Sequence, residues 1–220
     1  MPEYNSSSLH IDGYFNLAVP NTFLRLKQDS NKLAVMFPGL GYTCHMPLLY
    51  YATEILLGYE YDVLQLNTDY TRRDYQFSSR EERASWILTD SQAAVHCGLA
   101  QREYTSLILI GKSIGTMAMA GIININVDLT IATIWLTPLL NQPYLVNAAL
   151  CFKGPALFIG GTGDQTYLLD VLNRIEEKNN ARILIVDGAD HSLEIKDDIP
   201  RSLNILDKSL HTIIQFLNDL

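Results

Sequence analysis

The sequence predicts an α/β fold in which helices cover both faces of a mostly parallel β-sheet. Short apolar runs that do not alternate with polar residues are typical of strands buried on both faces. These runs are separated by segments with helical periodicity, an order that indicates repeated strand and helix units. Strands are expected at 33–37, 61–67, 106–110, 132–136, 156–160 and 182–186.

Each expected helix has a recognisable start or an apolar face. Ser79 and Glu82 form a capping-box pattern at the start of a helix that keeps one apolar face as far as Leu99. Further helices are expected at about 46–57, 167–177 and 200–217, and a small-residue helix is expected at 116–121.

The first thirty residues predict an antiparallel edge to this sheet. Segments 9–19 and 22–28 are expected to pair with each other, joined near Pro20 and Asn21. A chain of 220 residues is expected to form one domain, 1–220, that is large enough for a full α/β core.

Composition argues against two classes of partner. With a formal net charge of −8, the chain is poorly suited to nucleic acids or anionic membranes, since both favour clustered Lys and Arg. The arginines at 72, 73, 80 and 83 are interspersed with acidic residues, so a solvated surface is favoured there.

The sequence predicts neither a membrane span nor a secretory signal peptide. Polar residues, among them Asn124, Asn126 and Asp128, interrupt the most apolar window, 117–140, and the N-terminus lacks a signal-peptide pattern. Three cysteines without C-x-x-C spacing suit a reducing compartment, so a cytoplasmic protein without a zinc site is expected.

Residues 106–115, SLILIGKSIG, contain parts of two motifs. A phosphate-binding P-loop requires a glycine five residues before Gly111, but Ser106 occupies that position and an apolar strand follows it. The alternative is G-x-S-x-G, which resembles the nucleophile elbow of α/β-hydrolases: a strand, a sharp turn and a helix. This interpretation assigns Ser113 as the nucleophile and the amide of Ile114 as a donor to an oxyanion.

In the α/β-hydrolase arrangement, an acid and then a histidine follow the serine, each on a loop after a strand. His191 is the histidine that follows a strand, with Gly188 just before it, whereas the other four precede Ser113 or lie in a helical pattern. Asp164 ends a glycine-rich loop after another strand and is the favoured acid. Asp187 and Asp190 remain rivals, although their proximity in sequence to His191 places them poorly.

The loop after the first buried strand, FPGLGY, supplies a candidate for the second oxyanion donor. The amide of Leu40, between Gly39 and Gly41, is expected to act beside that of Ile114. A dinucleotide fingerprint is disfavoured in this loop because Cys44 stands where the third glycine would be.

The order Ser113, Asp164, His191, with FPGLGY upstream, resembles the α/β-hydrolase superfamily. IGKSIG together with GADHSL is similar to small, lidless members near the dienelactone hydrolases, although Pro38 stands where larger members often carry histidine. The resemblance implies a three-layer fold, and residues 137–154 leave room for a short helix but no cap domain. Candidates for lining the resulting open pocket are Tyr42, Leu139, Leu140 and Tyr144, for which core packing is an equal alternative.

Together these residues predict a serine hydrolase that cleaves a carboxylic ester or thioester of a small acyl substrate, with no metal and no cofactor. Two alternatives stay open. The chain could be a binding or scaffold protein that kept the fold without the chemistry, since fold does not guarantee function. It could also be a peptidase or amidase, because amide cleavage uses the same three residues.

Overall fold

A computed structural model describes residues 2–123, 128–179 and 181–220. Eight strands of this described part form one sheet in the order β1-β2-β4-β3-β5-β6-β7-β8. The strands are β1 (Tyr4–Ser7), β2 (Asn21–Leu26), β3 (Lys32–Phe37), β4 (Asp62–Leu66), β5 (Ser106–Lys112), β6 (Thr130–Leu136), β7 (Ala156–Gly161) and β8 (Arg182–Val186). Strands β3 to β8 pair in parallel, whereas β2 runs antiparallel to both β1 and β4. The predicted parallel sheet with an antiparallel N-terminal edge is therefore confirmed.

Seven α-helices of the described residues cover the two faces of the sheet in the expected three layers. They are α1 (Pro47–Gly58), α2 (Arg73–Phe77), α3 (Arg80–Leu99), α4 (Ile114–Ile122), α5 (Pro143–Cys151), α6 (Leu169–Asn179) and α7 (Ile199–Asn218). One core cluster lies under α1 and α7, and the other lies under α3 to α6. The capping box at Ser79 and Glu82 is present at the start of α3.

The predicted strand at 9–19 is wrong. This segment contains a short 3₁₀ turn at Tyr14–Asn16, where Phe15 and Asn16 have positive φ values of 54° and 56°. The edge strand is instead the segment Tyr4–Ser7, in which all four residues are exposed, and it pairs with β2. No apolar alternation marks this segment, so its strand conformation results from pairing with the neighbouring strand and not from its own pattern.

The interrupted apolar window does not form a single long helix: α4 ends at Ile122 and β6 begins at Thr130. Asn124 and Asn126 lie outside the described residues, and Asp128 lies within them. In the part of the chain that is described, no helix is both long and apolar enough to cross a membrane.

Candidate active site

Ser113 lies at a sharp turn between β5 and α4, at the carboxyl edge of the sheet. Its backbone has φ 54° and ψ −119°, a strained conformation for a residue with a side chain, and it precedes the first helical residue, Ile114. A side chain at Gly115 would place its Cβ 2.1 Å from the carbonyl oxygen of Phe37. The glycine therefore allows α4 to begin directly against the end of β3.

Three side chains from three different loops meet at this turn. His191 Nε2 lies 2.7 Å from Ser113 Oγ, and His191 Nδ1 lies 2.6 Å from Asp164 Oδ2. Because the carboxylate only accepts, Nδ1 carries a proton and donates a hydrogen bond to Asp164. This leaves Nε2 to accept a hydrogen bond from the Ser113 hydroxyl. This chain of hydrogen bonds can make the serine oxygen nucleophilic.

The acid is buried, whereas the histidine reaches solvent. The Asp164 side chain is 4% exposed and that of His191 is 40% exposed. The second oxygen of Asp164, Oδ1, accepts hydrogen bonds from the backbone amide and the hydroxyl of Thr166, at 2.8 and 2.9 Å. These bonds hold the carboxylate in a fixed orientation toward the imidazole ring.

The two rival carboxylates are used elsewhere. Asp187 accepts a hydrogen bond from the hydroxyl of Thr162, and Asp190 accepts from the amides of Ser192 and Glu194. Asp190 thus shapes the loop that carries His191, but it is Asp164 that faces the imidazole ring.

The loop between β3 and α1 lies against the serine. A Cβ at Gly39 would be 3.4 Å from that of Ser113, and Gly41 has a positive φ of 70° that turns the loop. In the described part of the chain, the amides of Leu40 and Ile114 donate to no protein acceptor. Two free amides beside a nucleophilic serine can donate hydrogen bonds to the oxyanion that forms when the serine attacks a carbonyl.

A cleft of about 690 Å³ opens beside these amides. Its lining includes Leu40 and Ile114 and the apolar side chains of Ile87 and Met117, and Tyr144 forms part of the wall. Tyr42 and Leu139 do not belong to this lining. Leu139 packs against a core cluster, and the Tyr42 hydroxyl accepts a hydrogen bond from the amide of Leu48.

One wall of the cleft comes from a region whose composition indicates only a solvated surface. Arg80 and Arg83, in the first turn of α3, line the cleft, and Arg80 donates a hydrogen bond to Gln142 in front of α5. Arg72 instead pairs with Asp74 in an exposed ion pair. The capping box at Ser79 is the sequence signal that fixes where α3, and therefore this wall, begins.

Lys112, at the variable position of the G-x-S-x-G motif, is another residue whose position the sequence did not reveal. It is 1% exposed, and its ammonium donates hydrogen bonds to Thr137 Oγ1 and to the backbone carbonyl of His191, at 2.5 and 2.6 Å. Burial lowers the pKa of Lys112 to about 8, an effect that the negative charges of Asp164, Asp190 and Glu194 partly offset.

Across residues 2–123, 128–179 and 181–220, no group of three or more His, Cys, Asp or Glu side chains could hold a metal ion.

The three cysteines are unbridged, and burial raises the pKa of the Cys44 thiol to about 12. Cys44 therefore stays protonated near neutral pH and is a poor nucleophile.

Solved structures of known enzymes share this architecture. An esterase from Pyrococcus furiosus matches with a TM-score of 0.71 at 15% identity, over 99% of this chain and 91% of that one. A dienelactone-hydrolase-like promiscuous phosphotriesterase from metagenomic libraries matches with a TM-score of 0.73 at 13% identity, over 99% and 98% of the two chains. The chain has the α/β-hydrolase fold.

A puromycin-hydrolysing peptidase from Mycobacterium tuberculosis matches with a TM-score of 0.67 at 14% identity, over 99% of this chain and 40% of that one. No protein-family model matches the sequence, and no curated protein does. Because the similar structures include an esterase, a phosphotriesterase and a peptidase, the α/β-hydrolase fold by itself does not select the bond to be cleaved.

Proposed function

We propose that this protein is a serine hydrolase that cleaves carboxylic esters or thioesters of small acyl substrates. The observation that carries the proposal is the continuous hydrogen-bond chain from Ser113 through His191 to Asp164, at 2.7 and 2.6 Å. The strained turn at Ser113 supports it, because strain of this kind is characteristic of functional sites.

In the proposed mechanism, Ser113 Oγ attacks the acyl carbonyl while His191 Nε2 accepts the hydroxyl proton. The negative charge that develops on the carbonyl oxygen is stabilised by the amides of Leu40 and Ile114. His191 then gives the proton to the leaving alcohol or thiol, and the acyl group remains on the serine. Asp164 stabilises the imidazolium at each proton transfer.

Water completes the reaction by a second, similar addition. His191 takes a proton from water, the resulting hydroxide adds to the acyl carbonyl, and the Ser113–acyl bond breaks as the proton returns to Oγ. The products are a free carboxylic acid and the original enzyme, so neither a metal nor a redox cofactor is required.

The lining of the cleft supports the proposal that the substrate carries a small or extended acyl group. Apolar contacts are available from Ile87 and Met117, while Arg80, Arg83 and Gln142 offer hydrogen-bond donors at the wall. The segment between β6 and β7 contributes only the nine-residue helix α5, so no cap domain from that segment covers the cleft.

Turnover of p-nitrophenyl acyl esters, an acyl thioester and a matched p-nitroanilide tests the proposal. We expect the wild type to cleave the ester and the thioester, and Ser113→Ala to reduce kcat by about 10⁴ to 10⁶-fold. Ser85→Ala, which changes an exposed serine on α3, is the matched control and should leave kcat unchanged. Comparable anilide cleavage would indicate an amidase or peptidase, and no Ser113-dependent turnover of any substrate would favour a binding protein.

A further inference from the structure

Lys112 is buried within the site without a carboxylate partner. It is the last residue of β5 and directly precedes Ser113, and it is 1% exposed. No ion pair among the described residues includes it. A buried ammonium is costly unless its protons are bound by other groups, so its surroundings explain why a lysine is tolerated there.

The ammonium of Lys112 contacts three separate loops at the carboxyl edge of the sheet. It donates to Thr137 Oγ1 after β6 and to the carbonyl oxygen of His191 after β8, at 2.5 and 2.6 Å. It also lies 5.0 Å from the ring centre of Tyr42, which belongs to the loop after β3. Two of the three ammonium donors are thus bonded to different loops, and the aromatic ring from a third loop faces the positive charge.

Two of these loops carry groups of the proposed reaction. The carbonyl that Lys112 binds belongs to His191 itself, and no other donor in the described part of the chain bonds it. The Tyr42 backbone exchanges hydrogen bonds with Gly39, closing the turn that contains Leu40, at 2.9 and 3.4 Å. Lys112 therefore connects the backbone of the histidine to the loop that presents an oxyanion donor.

We infer that Lys112 is a positioning residue that acts through His191. Its ammonium fixes the histidine backbone relative to the end of β5, so that the imidazole ring stays between Asp164 and Ser113. Through Tyr42 it also holds the loop of Leu40 against the serine. This inference rests on the proposed hydrolase function, because the geometry that Lys112 maintains is useful only if His191 transfers protons.

The test replaces Lys112 by methionine, an unbranched apolar residue that suits a buried position. Lys32→Met is the matched control, because Lys32 Nζ also contacts a backbone carbonyl, that of Tyr59, and an aromatic ring, that of Tyr61. Those contacts lie at the start of β3, at the opposite edge of the sheet from Ser113. The control thus removes similar contacts away from the site.

We expect Lys112→Met to lower kcat for a p-nitrophenyl ester about 10 to 100-fold while KM changes less than threefold, because a small misplacement of a catalytic group has effects of this size. Lys32→Met should leave both constants unchanged. Proton NMR provides a second measurement: the downfield signal of the proton between His191 and Asp164 should shift or broaden in Lys112→Met and stay unchanged in Lys32→Met.

A kcat within threefold of the wild type, together with an unchanged downfield signal, would overturn the inference. A rise in KM at constant kcat would also overturn it, since that result would assign Lys112 to substrate binding. If the wild type shows no turnover that depends on Ser113, the proposed function fails, and the NMR comparison alone then decides whether Lys112 positions His191.

Discussion

At the scale of single residues, the site depends on groups that are held by their neighbours. Asp164 is fixed by Thr166, His191 by Asp164 and Lys112, and Ser113 by the turn into α4. A strained backbone at Ser113 costs on the order of 1–3 kcal/mol and persists only where its surroundings determine it. The contact of Gly115 with the end of β3 is one such determinant.

Asp164→Asn removes the carboxylate but keeps the size of the side chain. We expect kcat for an ester substrate to fall on the order of 10⁴-fold, because the amide favours the wrong tautomer of His191 and cannot stabilise the imidazolium. Asp187→Asn, which changes a rival acid that bonds Thr162 and not His191, should change kcat less than threefold. The prediction is wrong if the two variants lose similar activity.

Lys112 should make the stability of the protein depend on pH. Its pKa is about 8 in the folded chain, below the ordinary value of 10.5, so between these values the unfolded chain binds more protons. The free energy of unfolding therefore rises with pH in this range. The charged groups that act on Lys112 are Asp164, Asp190 and Glu194, and the Tyr42 ring faces its ammonium.

Urea unfolding of the wild type and of Lys112→Met at pH 7 and pH 9.5 measures this dependence. The free energy of unfolding of the wild type, relative to that of the variant, should increase by about 2 kcal/mol between the two pH values. Groups that Lys112 does not influence contribute equally to both proteins and cancel in the difference. A difference that is constant with pH would show that Lys112 keeps its ordinary pKa.

The sequence singled out Ser113, Asp164 and His191, and the structure brings these three side chains together. This was possible because each follows an apolar run that predicts a strand, and parallel strands end at the same edge of the sheet. Lys112 could not be interpreted in the same way. Its burial depends on where the loops of Thr137 and His191 lie in space, which no local pattern encodes.

At the scale of elements, the central strands and the long helices could be predicted from the sequence. The antiparallel N-terminal edge of the sheet could be predicted only in part. Apolar runs located β3 to β8 to within a few residues, because strands covered on both faces are apolar throughout. Strand β8 shares this composition although it lies at the edge of the sheet and is mostly half-buried. Strand β1 consists of exposed residues and has no such pattern. The cleft wall was missed for a related reason: Arg80 and Arg83 have the composition of ordinary surface, and only the packing of α3 beside α4 brings them to the site.

Helix α4 offers a direct test of the packing that positions the serine. Gly115→Ala would put a methyl group 2.1 Å from the carbonyl oxygen of Phe37, so the start of the helix must move. We expect a loss of about 1–3 kcal/mol in the free energy of unfolding, together with reduced ester turnover. In Gly121→Ala the new methyl group meets only the flexible end of Leu88, so this variant should fall within about 1 kcal/mol of the wild type and keep its turnover. Equal effects of the two changes would contradict this account of Gly115.

At the scale of the whole molecule, the site is assembled from segments that are far apart in sequence. The contributing loops follow β3, β5, β7 and β8, and 78 residues separate Ser113 from His191. The site therefore exists only while the central sheet is formed.

This dependence predicts that the site and the sheet are lost together. In a urea titration, labelling of the serine by a fluorophosphonate and the far-UV circular dichroism signal should fall at the same urea concentration, as in a two-state transition. If labelling disappears at a clearly lower urea concentration, the loops of the site open while the sheet remains folded.

Fluorophosphonate labelling followed by peptide mapping shows whether Ser113 is an activated nucleophile. We expect one adduct per chain, located on Ser113, and loss of labelling in both Ser113→Ala and His191→Ala, while Ser85→Ala labels like the wild type. A folded wild type that stays unlabelled, or an adduct located on another residue, would contradict it.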